Sequence, residues 1–135
     1  VAIMADTFAR EVDFFSIGTN DLVQYTLACD RGNANIAYLY NHFNPAVLRL
    51  IQRTITSARE NGIWAGMCGE MASDPNAAVL LMAMGISELS MSAPSIPRVK
   101  EKIRNISSIK AKEILADVME MEDGDEIKAY LAKIV

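Results

Sequence analysis

Trp64-Ala65-Gly66-Met67-Cys68-Gly69-Glu70 decides how this chain folds. An apolar run ends in a thiol, followed at once by a glycine and a carboxylate, which is the pattern of a buried strand emerging into a working loop. Phe14-Phe15-Ser16-Ile17-Gly18-Thr19-Asn20-Asp21 repeats the design upstream, an apolar run that breaks at glycine and delivers an amide and a carboxylate. Two strands ending in polar chemistry at the same end point to a site.

Working outward, the residues alternate strand with helix. Val1 to Arg10, with Ile3, Met4 and Phe8, reads as a helix, and Val12 to Ile17 as a buried strand closed by Gly18. A brief helical turn is expected over Asp21 to Leu27, then a polar loop from Cys29 to Asn44 that is long for a simple connection. Asn44-Pro45 is a capped helix start, Val47, Leu50, Ile51, Ile55 and Ala58 form one apolar face, and Gly62 takes the position after the helix. Strand Ile63 to Met67 follows. Asp74-Pro75 repeats the cap before an almost wholly apolar helix, Ala77 to Met84, which Gly85 ends. Such a helix is buried on most sides, and the expected cover is other elements of a parent protein or a second subunit. Glu88 to Met91 is a third strand, and Ser92-Ala93-Pro94-Ser95 leads into a helix through Val99 and Ile103. Helices over Ile109 to Met121 and Glu126 to Val135, separated by Glu122-Asp123-Gly124-Asp125, are expected to form a solvated cap over 106–135 beside a core of 1–105.

This alternation predicts an α/β fold, a parallel sheet covered by helices, with ligands at the C-terminal strand ends. Three strands cannot close a barrel, and an open three-stranded parallel sheet leaves two bare edges. The chain also opens on Val1 without a charged-then-apolar leader, so a piece of a longer protein is expected.

Composition narrows the function. The 135 residues are 51% apolar, enough to bury a core. The net charge of -4, with 13 scattered basic residues, disfavours nucleic acid. The longest apolar run, Ala77 to Ile86, is far short of the roughly 20 residues that span a membrane. Cys29 and Cys68 lack zinc or disulfide spacing, so a reducing cytoplasm is the expected compartment.

Individual residues leave alternatives open. Asn20-Asp21 could hold a divalent cation, or Asp21 could cap the next turn while Asn20 shapes it. Arg31, in Asp30-Arg31-Gly32-Asn33, could clamp a phosphate or simply be solvated. Cys68 could be a nucleophile or proton donor, or an inert small hydrophobe. Nucleophilic use needs a base, and the single histidine, His42, reads as a surface or packing residue. Glu70 is placed to tune charge at the same rim, and Cys29 reads as structural.

Together, Phe14 to Leu22, Gln24-Tyr25-Thr26-Leu27-Ala28, Asp30-Arg31-Gly32-Asn33 and Gly66-Met67-Cys68-Gly69-Glu70 resemble the phosphoenolpyruvate-utilising enzymes. Ser90-Met91-Ser92-Ala93-Pro94-Ser95-Ile96-Pro97 is similar to that family's last barrel strand and loop. The dikinase and synthase relatives share Gly-Thr-Asn-Asp and Cys-Gly-Glu, whereas Asp-Arg-Gly-Asn and Met-Cys-Gly-Glu resemble the enzyme I branch of the sugar phosphotransferase system.

The resemblance implies a phosphoenolpyruvate-binding (β/α)8 TIM-type barrel, of which this chain is the last three strand-helix units plus C-terminal helices. It implies that Asp21 is a Mg²⁺ ligand, that Asn20 and Arg31 bind the substrate phosphoryl group, and that Cys68 is the general acid giving pyruvate. It places a second Mg²⁺ ligand, a glutamate, just before Val1 and two more phosphate-binding arginines further upstream. The phosphohistidine domain, and through it the surface for the histidine phosphocarrier protein, are likewise elsewhere, and His42 does not match that histidine. The expected function is phosphoryl transfer from phosphoenolpyruvate to a protein histidine by a homodimeric parent, with this chain alone inactive. The alternatives are a piece of a phosphoenolpyruvate synthase or pyruvate phosphate dikinase, and a non-catalytic dimerisation module.

Overall fold

The computed structural model describes all residues, 1–135. Three parallel strands, β1 (Phe14–Gly18), β2 (Trp64–Cys68) and β3 (Glu88–Leu89), lie in sequence order in one sheet. Register aligns Phe14 with Trp64, Ser16 with Gly66 and Gly18 with Cys68. Each strand is followed by helix: α1 (Ala5–Phe8) precedes β1, α2 (Thr19–Leu27) and α3 (Pro45–Glu60) link β1 to β2, α4 (Pro75–Met84) links β2 to β3, and α5 (Ile96–Arg104), α6 (Ser108–Glu120) and α7 (Gly124–Ile134) follow.

Only one face of the sheet is covered. Phe15, Ile17, Ala65 and Met67 point into the core against Val47, Leu48, Ile51 and Ile55 of α3. Their neighbours on the opposite face, Phe14 and Trp64, remain 48% and 43% exposed, with rings stacked at 4.5 Å and 6°. The apolar runs predict strands buried on both faces, but this chain's helices all supply cover on one side. Consecutive strand order with one helix-covered face is the singly wound arrangement of a barrel segment, and a doubly wound sheet would have helices on both faces.

Local signals account for most helix limits. Asn44 accepts a hydrogen bond from the Ala46 N–H at 2.9 Å, and Asp74 accepts from Asn76 N–H at 2.8 Å and Ala77 N–H at 3.3 Å, each followed by proline at the first helical position. Asp123 caps α7 in the same manner. Three elements depart from expectation, the third strand among them, which ends at Leu89 and not at Met91. The N-terminal helix shrinks to a 3-10 turn over Ala2–Met4 and the short α1, and the buried positions are Ala5 and Ala9, while Ile3, Met4 and Phe8 stay exposed. Small side chains let this piece lie close on α3, where Arg53 pairs with Asp6 at 3.2 Å. The turn at Asp21 starts earlier, at Thr19, directly off the strand.

The apolar helix α4 does not await an outside partner. Ala77 to Leu81 are fully buried within this chain, because α5 and α6 pack on it. The last two helices are therefore solvated only on their outer faces; Ala111, Ile114, Leu115, Val118, Ile127 and Leu131 close the core.

Candidate functional site

The ends of β1 and β2 are side by side, since Gly18 is in register with Cys68. Thr19, almost fully buried, donates its hydroxyl hydrogen to the Cys68 carbonyl oxygen at 3.0 Å. Beyond Cys68 the chain turns sharply through Gly69, whose φ of +101° suits glycine alone. A Cβ at this position would come within 2.5 Å of Thr19 Oγ1 and 3.2 Å of Asn20 Oδ1. The two loops are thus in contact backbone to side chain, with no room for a side chain between them.

This contact organises the polar residues. Asn20, half-buried in the first turn of α2, accepts at Oδ1 from the Glu70 backbone N–H at 3.2 Å and from the Tyr40 hydroxyl at 3.1 Å. Asp21, next along the helix, stands exposed, and its side chain makes no hydrogen bond or ion pair within the chain. Asn20 therefore shapes the loop as one reading of the sequence had it, whereas Asp21 caps nothing and its carboxylate is available.

Arg31 reaches the same rim from the long loop after α2. Ala28 leaves the helix in the left-handed conformation, and Asp30 Oδ1 accepts from the Gly32 N–H at 2.8 Å, folding a tight turn that carries Arg31 back over the strand ends. Its guanidinium lies 3.6 Å from the Glu70 carboxylate, with both side chains largely in solvent. Tyr40 sits between these groups. Burial pushes its phenol above the ordinary range, the Glu70 charge adds to this, and Arg31 partly offsets it. Like any phenol it is protonated at neutral pH, and so a donor.

Cys68 is exposed at the strand end, with Sγ 3.8 Å from the Ile17 carbonyl oxygen, the length of a weak sulfur contact. Its exposure removes the inert-hydrophobe reading. His42 is not its base: its Nε2 is 3.3 Å from Asp74 Oδ2, and its ring packs on Phe43. Cys29 is buried.

Thus Asn20, Arg31, Cys68 and Glu70, from two strand ends and one loop, come together at the C-terminal ends of β1 and β2, and Asp21 follows Asn20 in the first turn of α2. Tyr40 and Thr19 belong to the same assembly and escaped the sequence reading, because spacing along the chain says nothing of a pairing between positions 20 and 40 or 19 and 68. The donor set suits an anion better than a cage for a cation. No group of three or more His, Cys, Asp or Glu side chains comes together in the chain. Asp21 alone fits Mg²⁺, which characteristically takes one or two carboxylates and fills its remaining positions with water and substrate oxygens.

A protein-family model described as "PEP-utilising enzyme, PEP-binding domain" matches residues 1–108. Among curated proteins, the phosphoenolpyruvate-protein phosphotransferase of Geobacillus stearothermophilus is 48% identical over 132 residues, covering 98% of this chain and 23% of that protein. The enzyme of the same name from Bacillus subtilis is 48% identical over 130 residues, 96% of this chain and 23% of its own length. That of Lactococcus lactis subsp. lactis is 54% identical over 113 residues, 84% of this chain and 20% of its own length. The chain therefore spans less than a quarter of the length of these relatives.

Proposed function

This chain belongs to the PEP-utilising enzymes, within their PEP-binding domain, and from that premise we propose that it supplies one rim of a site where the phosphoryl group of phosphoenolpyruvate passes to a protein histidine. The observation that carries this reading is the convergence of Asn20, Arg31 and Cys68 at the C-terminal ends of adjacent parallel strands, where barrel enzymes do their chemistry.

In this reading Asn20 donates from Nδ2 to a phosphate oxygen. Arg31 meets the phosphoryl group with its planar donors, offsetting charge as the group moves between leaving and attacking atoms. The P–O bond breaks with its electron pair retained by oxygen, leaving an enolate while a P–N bond forms on the histidine. Cys68 gives its Sγ proton to the enolate carbon, which makes pyruvate, and the thiolate, being exposed, regains a proton from solvent. Asp21 would hold Mg²⁺, which when bound supplies positive charge to the phosphate and enolate oxygens. Glu70 keeps Arg31 at the rim through their ion pair.

The similarity to proteins called phosphoenolpyruvate-protein phosphotransferase favours a protein as phosphoryl acceptor over the synthase and dikinase alternatives. From the resemblance of the Asp30-Arg31-Gly32-Asn33 and Met67-Cys68-Gly69-Glu70 motifs to the enzyme I branch, we further propose a phosphohistidine that passes its group to a histidine phosphocarrier protein of sugar transport, in the cytoplasm, and a homodimeric parent. No helix is long and apolar enough to cross a membrane. A dimer would not use α4, whose apolar residues this chain already covers.

A backbone NMR titration with Mg²⁺ and phosphoenolpyruvate tests the site. Saturable shifts at Asn20, Asp21 and Cys68, lost in Arg31→Ala, are expected, without pyruvate release by the chain alone. In the full-length parent, Cys68→Ala is expected to cut pyruvate formation by about 100-fold or more. Unchanged pyruvate formation in that variant, or shifts that ignore Arg31, would overturn the reading.

A further inference from the structure

We infer that Tyr40 is a positioning residue that locks the Asn20 side-chain amide with its Nδ2 hydrogens turned outward to a ligand oxygen, an assignment that rests on the phosphoryl-binding reading above. The geometry leaves the amide one orientation. The Glu70 backbone N–H, 3.2 Å away, can only donate, so the atom facing it is Oδ1 and not Nδ2. The Tyr40 hydroxyl, 3.1 Å from the same oxygen, fills its second lone pair. With both acceptor sites taken, the carbonyl end cannot swing toward an anion, and Nδ2, which makes no hydrogen bond within the chain, is the end left to bind.

Tyr40 is well anchored for this task, and its anchors are independent of the two strand ends. It closes the 3-10 turn Ala37–Leu39, where its N–H donates to the Ala37 carbonyl at 3.0 Å. The next residue, Asn41, accepts from the Phe43 N–H at 2.9 Å and donates from Nδ2 to Asp125 Oδ1 at 3.1 Å, and Phe43 is buried in the core. The loop is thus tied to α7 on one side, and on the other delivers one hydroxyl to Asn20. Removing that hydroxyl leaves the amide a single partner, the Glu70 N–H, so the amide can rotate about its last side-chain bond. A phenol is protonated at neutral pH, and the hydroxyl is therefore a donor there.

The test is ¹⁵N relaxation of the Asn side-chain amides in this chain with Tyr40 and with Tyr40→Phe, without ligand. An ordered Asn20 amide that loses order in Tyr40→Phe, with the urea midpoint falling by no more than the loss of one neutral hydrogen bond, is expected. Equal order in the two proteins would overturn the assignment. Should Tyr40→Phe fail to fold, 3-fluorotyrosine at position 40 keeps the ring and hydroxyl, and raising the pH through its ionisation must loosen the Asn20 amide; an amide that stays ordered overturns the assignment. A second arm adds phosphoenolpyruvate with Mg²⁺ and separates the two claims. The expected loss in Tyr40→Phe is roughly fivefold in affinity, the size of one neutral hydrogen bond. If the amide loosens but phosphoenolpyruvate perturbs Asn20 in neither protein, the positioning role stands and the substrate reading falls. If phosphoenolpyruvate binds Asn20 equally in both, and the amide stays ordered, the substrate reading stands and the role of Tyr40 falls.

Discussion

The Thr19 hydroxyl donates to the Cys68 carbonyl oxygen at 3.0 Å, joining two strand ends that are 49 residues apart in sequence. With Thr19 almost fully buried, no water replaces this bond. Thr19→Val keeps the shape, removes the donor and leaves a carbonyl short of a partner. Its expected cost is about 1–2 kcal/mol in urea unfolding, with Thr19→Ser recovering most of it.

Gly69→Ala is expected to be worse. The positive φ costs an alanine about 1–3 kcal/mol, and the added methyl meets Thr19 Oγ1 at 2.5 Å. The rim must open to admit it, so the backbone signals of Asn20 and Glu70 should shift together with a fall in the urea midpoint. Unmoved signals at Asn20 would show that the loops are less tightly joined than their distances indicate.

Asp74 sets an acid limit on stability. Burial alone would raise its carboxyl, but the hydrogen bonds from His42 and from the Asn76 and Ala77 N–H groups outweigh this and hold it below the ordinary range. A carboxyl whose folded value lies below its unfolded value, about 3.9, contributes stability that is full above that value. The contribution disappears as pH falls through the lower, folded value. Asp74→Asn, which retains a capping oxygen, should therefore be less stable than the native chain at pH 6, and the difference should close in the acid range below about pH 4. Urea midpoints of both proteins across pH 2–6 give the comparison.

Arg31 and Glu70 make an exposed pair at 3.6 Å, of a kind worth only about 0–1 kcal/mol. Glu70→Gln should scarcely change the urea midpoint. By releasing Arg31 from its carboxylate and removing a negative charge from the rim, it should alter phosphoenolpyruvate affinity in the titration more than it alters stability. A large loss of stability with unchanged affinity would assign the pair to the fold instead.

Much of the framework was legible because it is written locally. Asn44-Pro45, Asp74-Pro75, Gly62 and Gly85 are short-range signals, and each marks a helix end in the structure. The parallel sheet followed from the apolar runs at Phe14 and Trp64, though not its single covered face, since the runs show burial potential and not what is present to bury them. Polar residues on the outer faces of α6 and α7 concealed inner faces built from Ile114, Val118, Ile127 and Leu131. At the site, residue types at the strand ends marked Asn20, Asp21 and Cys68. Tyr40 was hidden in a loop whose neighbour His42 drew attention by its chemistry and pairs instead with Asp74.

Trp64 is the chain's single tryptophan, and it lies stacked on Phe14 on the open face of the sheet. That position makes its indole a native optical gauge. Emission should lie toward long wavelengths while the face meets water and move to shorter wavelengths as any further strands or a binding partner close over it, so assembly on this face can be followed without a label.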